Sequence, residues 1–252
     1  MNWALHVLGV GGAQAVELGS SGAVVEHAGR PLLLIDCGPD TFTRYLDTYG
    51  EPPAAVYVTH VHMDHVGGLE RLFYRAYFDP ERRGRIRLYA HAALLPLLQG
   101  RIADYPNVIA EGGANFWDAF HLIPVSRGFW HAGYWFDVFP TRHHAPNTSF
   151  GIALANSFVW TGDTRPIPEL LLHHAGGDAL IAHDCALIGN PSHTGLDDIE
   201  REYPQALRAR LLLYHYGSAD DARAMAARGY RIAEPGVRYP LAPPAAGAEV
   251  QA

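Results

Sequence analysis

Apolar and polar positions alternate in short bursts over the first sixty residues. Leu5 to Val10, Ala23 to Glu26, Leu32 to Asp36 and Ala55 to Thr59 are β-type runs separated by glycine-rich turns, and they predict the strands of one sheet. The period changes at Leu69 to Phe78, which reads as a helix. A strand at Ile86 to Ala90 and a helix at Ala92 to Gln99 follow. Ile102 to Gly128, with Gly112-Gly113, Trp117, Phe120 and His121, reads as a loop-rich insertion carrying one short helix, its aromatic residues packing the core. Tyr134 to Thr141 alternates as a strand, and Phe150 to Ala155 with Phe158 to Thr161 makes a hairpin through Asn156-Ser157, so a second sheet begins here. Beyond lie a helix at Ile167 to His174, a buried strand at Ala179 to Ala182, a polar helix at Leu196 to Tyr203 and a strand at Leu211 to Tyr214. The last helix has Ser218 as N-cap, Asp220 and Asp221 in its first turn and Gly229 at its end. Residues 1–239 therefore predict a single domain, and the proline- and alanine-rich stretch 240–252 a disordered tail.

At 252 residues, 48% hydrophobic and 18% charged, the chain can bury a large α/β core. Its net charge of −7 argues against a general affinity for nucleic-acid backbone. All 19 basic residues are arginine, and Arg82, Arg83, Arg85 and Arg87 crowd together in what reads as a solvated loop face. Two cysteines, Cys37 and Cys185, are too few for a disulfide framework and fit a reducing compartment. Ala13-Gln14-Ala15 imitates a signal-cleavage site but follows no basic leader, and no apolar run nears the ~20 residues of a membrane span. A soluble cytoplasmic protein is expected, with room for a homodimer.

The concentrated chemistry lies in Thr59-His60-Val61-His62-Met63-Asp64-His65, directly after the apolar run Ala54 to Val58. On an extended chain His60 and His62, two apart, project to one side and can share an ion, while Asp64 and His65 follow the turn and aim elsewhere. Two metals suit that geometry. Gly67 and Gly68 then let the backbone approach closely, and the next helix turns its positive end to the site.

This HxHxDH pattern with its two glycines resembles the metallo-β-lactamase superfamily. Leu32-Leu33-Leu34-Ile35-Asp36-Cys37-Gly38 is similar to that family's strand ending in aspartate and glycine, Trp160-Thr161-Gly162-Asp163-Thr164 to its TGD segment, and Leu211-Leu212-Leu213-Tyr214-His215-Tyr216-Gly217 to its closing strand ending in histidine. The resemblance covers about Leu5 to Arg231. It implies a four-layer αββα sandwich of two mixed sheets flanked by helices, with metals at one edge where the sheets meet. It also implies a ligand set: His60, His62 and a third histidine for one ion, Asp64, His65 and His215 for the other, and Asp163 bridging. For the third histidine the chain offers His143 and His144; counting from Pro140 as relatives do selects His143. Two divalent cations with imidazole and carboxylate donors suit Zn2+, and Mn2+ or Fe would also be accepted. A shared water of lowered pKa would be the nucleophile, with Asp64 aiming it.

Within that superfamily, Pro191-Ser192-His193-Thr194 resembles an element of the ribonuclease Z-like phosphodiesterases. His193 could protonate a leaving alkoxide, and Asp184, in His183-Asp184-Cys185, could orient it. Both also fit plainer roles, as a helix cap and a partner for backbone amides. The long basic arm that grips transfer RNA is not recognisable between Gly84 and Gly133. The expected function is thus a dinuclear phosphodiesterase of a small phosphodiester or nucleotide. A lactone or thioester hydrolase, or a non-hydrolytic iron redox protein, are the alternatives. Gly19-Ser20-Ser21-Gly22 lacks the spacing of a serine-nucleophile elbow, and no dinucleotide fingerprint is complete.

Overall fold

The computed structural model describes residues 2–104, 108–109 and 112–245. Strands β1 (Trp3–Gly9), β2 (Gly22–His27) and β3 (Arg30–Ile35) precede helix α1 (Thr41–Tyr49), and β4 (Ala55–Val58) leads into the short α2 (Met63–Val66) and then α3 (Leu69–Tyr77). After β5 (Ile86–His91) and the one-turn α4 (Leu95–Leu98), a small ribbon of β6 (Val108–Ile109) and β7 (Gly112–Gly113) stands apart, and β8 (Phe120–Val125) rejoins the sheet. The second half contains β9 (Gly128–His131), β10 (Tyr134–Pro140), β11 (Phe150–Leu154), β12 (Phe158–Trp160), α5 (Pro168–His174), β13 (Leu180–Asp184), α6 (Leu196–Glu202), α7 (Gln205–Arg208), β14 (Leu211–Tyr214), α8 (Ala219–Ala227), β15 (Arg231–Ile232) and β16 (Arg238–Leu241).

Two seven-stranded sheets result, in the orders β16-β1-β2-β3-β4-β5-β8 and β15-β14-β13-β12-β11-β10-β9. Each is antiparallel on one side and parallel on the other: β3, β4, β5 and β8 run parallel, as do β12, β13, β14 and β15. The parallel strands are covered on both faces, which is why β4 and β14 are buried at every position and read as unbroken apolar runs. The sheets face each other. Tyr57 on β4 stacks on Phe129 of β9 and donates a hydrogen bond to the Phe150 carbonyl at 3.3 Å, and the Phe150 amide returns one to the Thr59 carbonyl at 2.9 Å. Helices flank them by burying one stripe; in α3 this is Leu69, Leu72, Phe73 and Ala76, at helical spacing. The fold is the four-layer αββα sandwich.

Several elements depart from the sequence reading. The segment Ile102 to Gly128 contains the strand β8, whose Pro124 and polar His121 suit an edge strand and mask its β character. Helix α1 has no counterpart in that reading; Gly50, at φ 76°, closes it by donating its amide to the Leu46 carbonyl. The helix expected from Ala92 to Gln99 is three pieces: a 3-10 turn at Ala92–Leu94, α4, and a π turn at Gln99–Ala103. Pro240 and Leu241 belong to an edge strand paired with Ala4 and Trp3 rather than to a tail, and residues 246–252 of the expected tail lie outside the described ones. The arginine-rich loop is largely neutralised, with Arg82 on Asp79 and Glu51, Arg83 on Asp118 and over the Tyr77 ring, and Arg85 on Glu81.

Candidate metal centre

The carboxyl ends of the parallel strands gather at one edge of the sandwich, the usual place for a site in a parallel sheet. β3 ends at Asp36, β4 at His60 to His65, β12 at Asp163, β13 at Asp184 and β14 at His215, while the loop after β10 brings His143 from the antiparallel side. His62 caps α2 in an extended conformation, so Asp64 and His65 fall in its first turn and turn away from His60 and His62. A Cβ on Gly68 would lie 2.2 Å from the Gly38 carbonyl oxygen, so only glycine lets these two loops touch. Gly12 abuts the ring of His215 less severely: a Cβ there would lie 3.2 Å from Cε1, a tight contact rather than a clash.

Two four-residue groups form around one carboxylate: His60, His62, His143 and Asp163, and Asp64, His65, His215 and Asp163, with donor atoms in each within 4.8 Å of one another. His62 Nδ1 lies 3.2 Å from His143 Nε2, and Asp163 lies 3.5 Å from His60 Nε2, 3.3 Å from His65 Nε2 and 3.3 Å from His215 Nε2. Asp64 stands 3.5 Å from His65 Nε2 and 3.7 Å from His215 Nε2. Donors bonded at about 2.0–2.1 Å around a tetrahedral ion sit about 3.3 Å apart, close to these separations. His144 is exposed and, although its ring lies 4.9 Å from that of His62, it is His143 whose donor atom groups with those of His60, His62 and Asp163.

The opposite ring nitrogens are tied down. His65 Nδ1 donates to Asp36 at 2.8 Å, His143 Nδ1 to the Ser192 carbonyl at 2.9 Å, and His60 Nδ1 to Thr59 Oγ1 at 3.0 Å, with Thr59 itself donating to Asp36 at 2.8 Å. That arrangement fixes the tautomer that leaves each Nε2 lone pair inward. Among the described residues, His60 Nε2, His65 Nε2, His215 Nε2 and Asp163 Oδ1 are buried without a hydrogen-bond partner. Four such atoms converging on one space would be costly left alone, and bound metal is the group they fit. Asp36, prominent in the sequence only as part of a pattern, is the hub of this support; its sole signal there is the aspartate closing an apolar strand.

Electrostatics follow from burial and crowding. Burial pushes the Asp163 carboxyl up, but His215, His65 and His60 outweigh it and hold it well below the ordinary carboxylate range. Burial likewise lowers His65 and His215, yet Asp163 with Asp36 raises His65 well above its usual value, and Asp163 with Asp184 lifts His215 to about 10. His60 and His143 go the other way, His143 to about 4, because burial dominates there.

Asp184 and His193 lie beside this centre. His193 Nδ1 donates to Asp184 at 2.9 Å, Asp184 also accepts the Thr164 amide at 2.8 Å, and the His193 ring stacks on His215 with centroids 4.8 Å apart. His193 is 3.9 Å from Asp163, so these two residues form a third group with Asp163 and His215. Cys37 and Cys185 are free and buried, and burial raises both thiols, which leaves them as packing groups.

Fold and donor set together define a protein of the metallo-β-lactamase fold with a candidate metal centre at its sheet edge. The metallo-β-lactamase fold protein YhfI from Bacillus subtilis is similar over 95% of this chain and 100% of its own, at a TM-score of 0.72 and 18% identity. Human short-form tRNase Z is similar over 94% and 98%, at a TM-score of 0.66 and 17% identity. The profile of the anti-Pycsar protein Apyc1 family matches residues 3–239, and the Apyc1 of Paenibacillus harenae is 30% identical over 245 residues, 93% of this chain and 98% of that one. The chain belongs to the anti-Pycsar Apyc1 family. Among the described residues no helix is long and apolar enough to cross a membrane.

Proposed function

We propose that this chain is a dinuclear phosphodiesterase that opens a small phosphodiester, a cyclic nucleotide being the best candidate. His60, His62 and His143 would hold one ion, Asp64, His65 and His215 the other, and Asp163 both. The observation that carries this reading is the pair of four-residue groups sharing Asp163, with buried and partnerless Nε2 atoms turned inward. Imidazole and carboxylate donors without thiolate make Zn2+ the simplest occupant. When bound, two such cations supply Lewis acidity and a water of lowered pKa.

The remaining work falls to the chain. Asp64, with a side chain 15% exposed where Asp163 is 1% exposed, is the carboxylate of the centre that reaches solvent, placed to orient a water. His193 is held at Nδ1 by Asp184, so Nε2 is the nitrogen left to exchange a proton with the departing alkoxide. Burial alone would lower His193; the hydrogen bond and charge of Asp184 raise it, so it carries its proton nearer neutrality. A thioester hydrolase, whose thiolate leaves without a proton, has less need of such a donor. A net charge of −7 and an arginine loop already paired with acids also favour a small substrate over a long nucleic acid. The anti-Pycsar name of the relatives suggests cyclic-nucleotide degradation.

The test is a purified protein of known metal content assayed on cyclic nucleotides, bis-p-nitrophenyl phosphate, lactones and thioesters. Turnover of the phosphodiesters alone is expected. Acyl turnover with none on phosphodiesters would overturn the reading.

A further inference from the structure

A cavity of about 630 Å3 opens directly beside the metal centre, which lends it His62 and Asp64 as one wall. Its other charged groups are Asp40, Arg44 and Arg101. Asp40 and Arg44 cancel: Arg44 Nε donates to Asp40 at 2.5 Å, and Asp40 also accepts the Ser20 amide at 2.9 Å. Arg101 makes no ion pair or hydrogen bond among the described residues. Among the described residues it is therefore an uncompensated cation in a cavity that leads to the metal centre.

Its position is built rather than incidental. Arg101 sits in the π turn Gln99–Ala103, where the Asp104 amide reaches back to the Gln99 carbonyl at 3.2 Å, and π turns are frequent at functional sites. Ile102 and Ala103, 5% and 0% exposed, hold the inner side of the turn in the core, which leaves Arg101 outward. Gln99 Oε1 accepts the Trp117 indole N–H at 2.6 Å and pins the start of the turn. The cavity also has apolar rims, Val16 at 80% and Met63 at 46% exposure, suited to the uncharged body of a ligand.

We propose that Arg101 anchors the negative charge of the substrate, donating to a non-bridging phosphate oxygen while the uncharged part lies between Val16 and Met63. The proposal rests on the phosphodiesterase reading of this same site. Guanidinium suits the task because its planar fork matches two phosphate oxygens.

Arg101→Gln and Arg101→Lys are compared with the wild type, far-UV dichroism serving as the check on folding. On a cyclic nucleotide, Arg101→Gln is expected to raise KM about tenfold with kcat within about twofold, and Arg101→Lys to recover part of the loss. The second readout is titration of the metal-free protein with a cyclic phosphorothioate and with the neutral parent nucleoside. Phosphorothioate affinity should fall about tenfold and nucleoside affinity stay unchanged. Unchanged KM, unchanged phosphorothioate affinity, or an equal loss for the nucleoside overturns the proposal while leaving the phosphodiesterase reading intact. A wild type that turns over no phosphodiester, yet binds the phosphorothioate through Arg101, supports the anchor and overturns the hydrolytic reading.

Discussion

Asp36 Oδ2 accepts a hydrogen bond from His65 Nδ1 at 2.8 Å, and both side chains are fully buried. A residue that touches no donor space thus sets the ring orientation of one that does. Asp36→Asn should lower metal affinity about 10- to 100-fold with the fold retained, as is usual when the outer partner of a metal-binding histidine is lost. Competition against a chelator of known affinity measures it; an unchanged constant would reduce Asp36 to a tie for Thr59.

Asp64 is the accessible carboxylate of the group. Asp64→Ala should cut turnover by a factor of about 100 or more, in the range of other catalytic-group deletions, and leave the far-UV spectrum unaltered. Activity near that of the parent would dismiss the proposed ligand set.

Loading the centre should expel protons. Without metal, His65 stands well above its usual pKa and His215 at about 10, so both are protonated at pH 7, and both must be neutral to coordinate. About two protons should leave per chain, and affinity should go on climbing with pH toward about 10, where His215 loses its proton unaided. Calorimetry in two buffers of different ionisation enthalpy reads the number directly; no release would mean these histidines stay out of the coordination.

If His193 protonates the leaving group, His193→Ala should hurt substrates with poor leaving groups by about 100-fold or more, and activated nitrophenyl esters far less. Asp184→Asn should show the same selectivity, since Asp184 acts through His193. Equal losses on both substrate types would reduce the pair to a helix-entry brace.

A stability effect is expected far from the site. His6 is buried on β1, donating to Tyr49 Oη at 2.8 Å, and its pKa is lowered first by burial and then by Arg238. The unfolded chain therefore takes up a proton below about pH 6.5 that the folded chain refuses, so this contribution is complete above that pH and is lost as pH falls. Denaturation midpoints of the wild type should drop more steeply from pH 7 to 5 than those of His6→Gln, by at most about 1.4 kcal/mol per pH unit. Parallel curves would show His6 to be indifferent.

How much was legible depended on where the information sits in the chain. Thr59 to His65 carries its chemistry in consecutive residues, and the strand or turn period alone places it. Asp163 and His215 needed family resemblance, because the residues around each do no more than describe a strand end. Strand β8 was hidden since an edge strand tolerates Pro124 and polar faces, so the alternation that marks a strand is broken. The cavity was invisible for a different reason: its walls come from the loop at Gly12 to Ser20, from α1, from α2 and from the turn at Arg101, none of which announces the others.

The contact of Gly12 with His215 limits what an inventory of coordinating side chains can reveal. A methyl group at position 12 would press a ring that already sits on a strained backbone, at φ 67°. A homologue that keeps every histidine and aspartate but carries one extra carbon at position 12 would have to move the His215 ring by a few tenths of an ångström to make room for it.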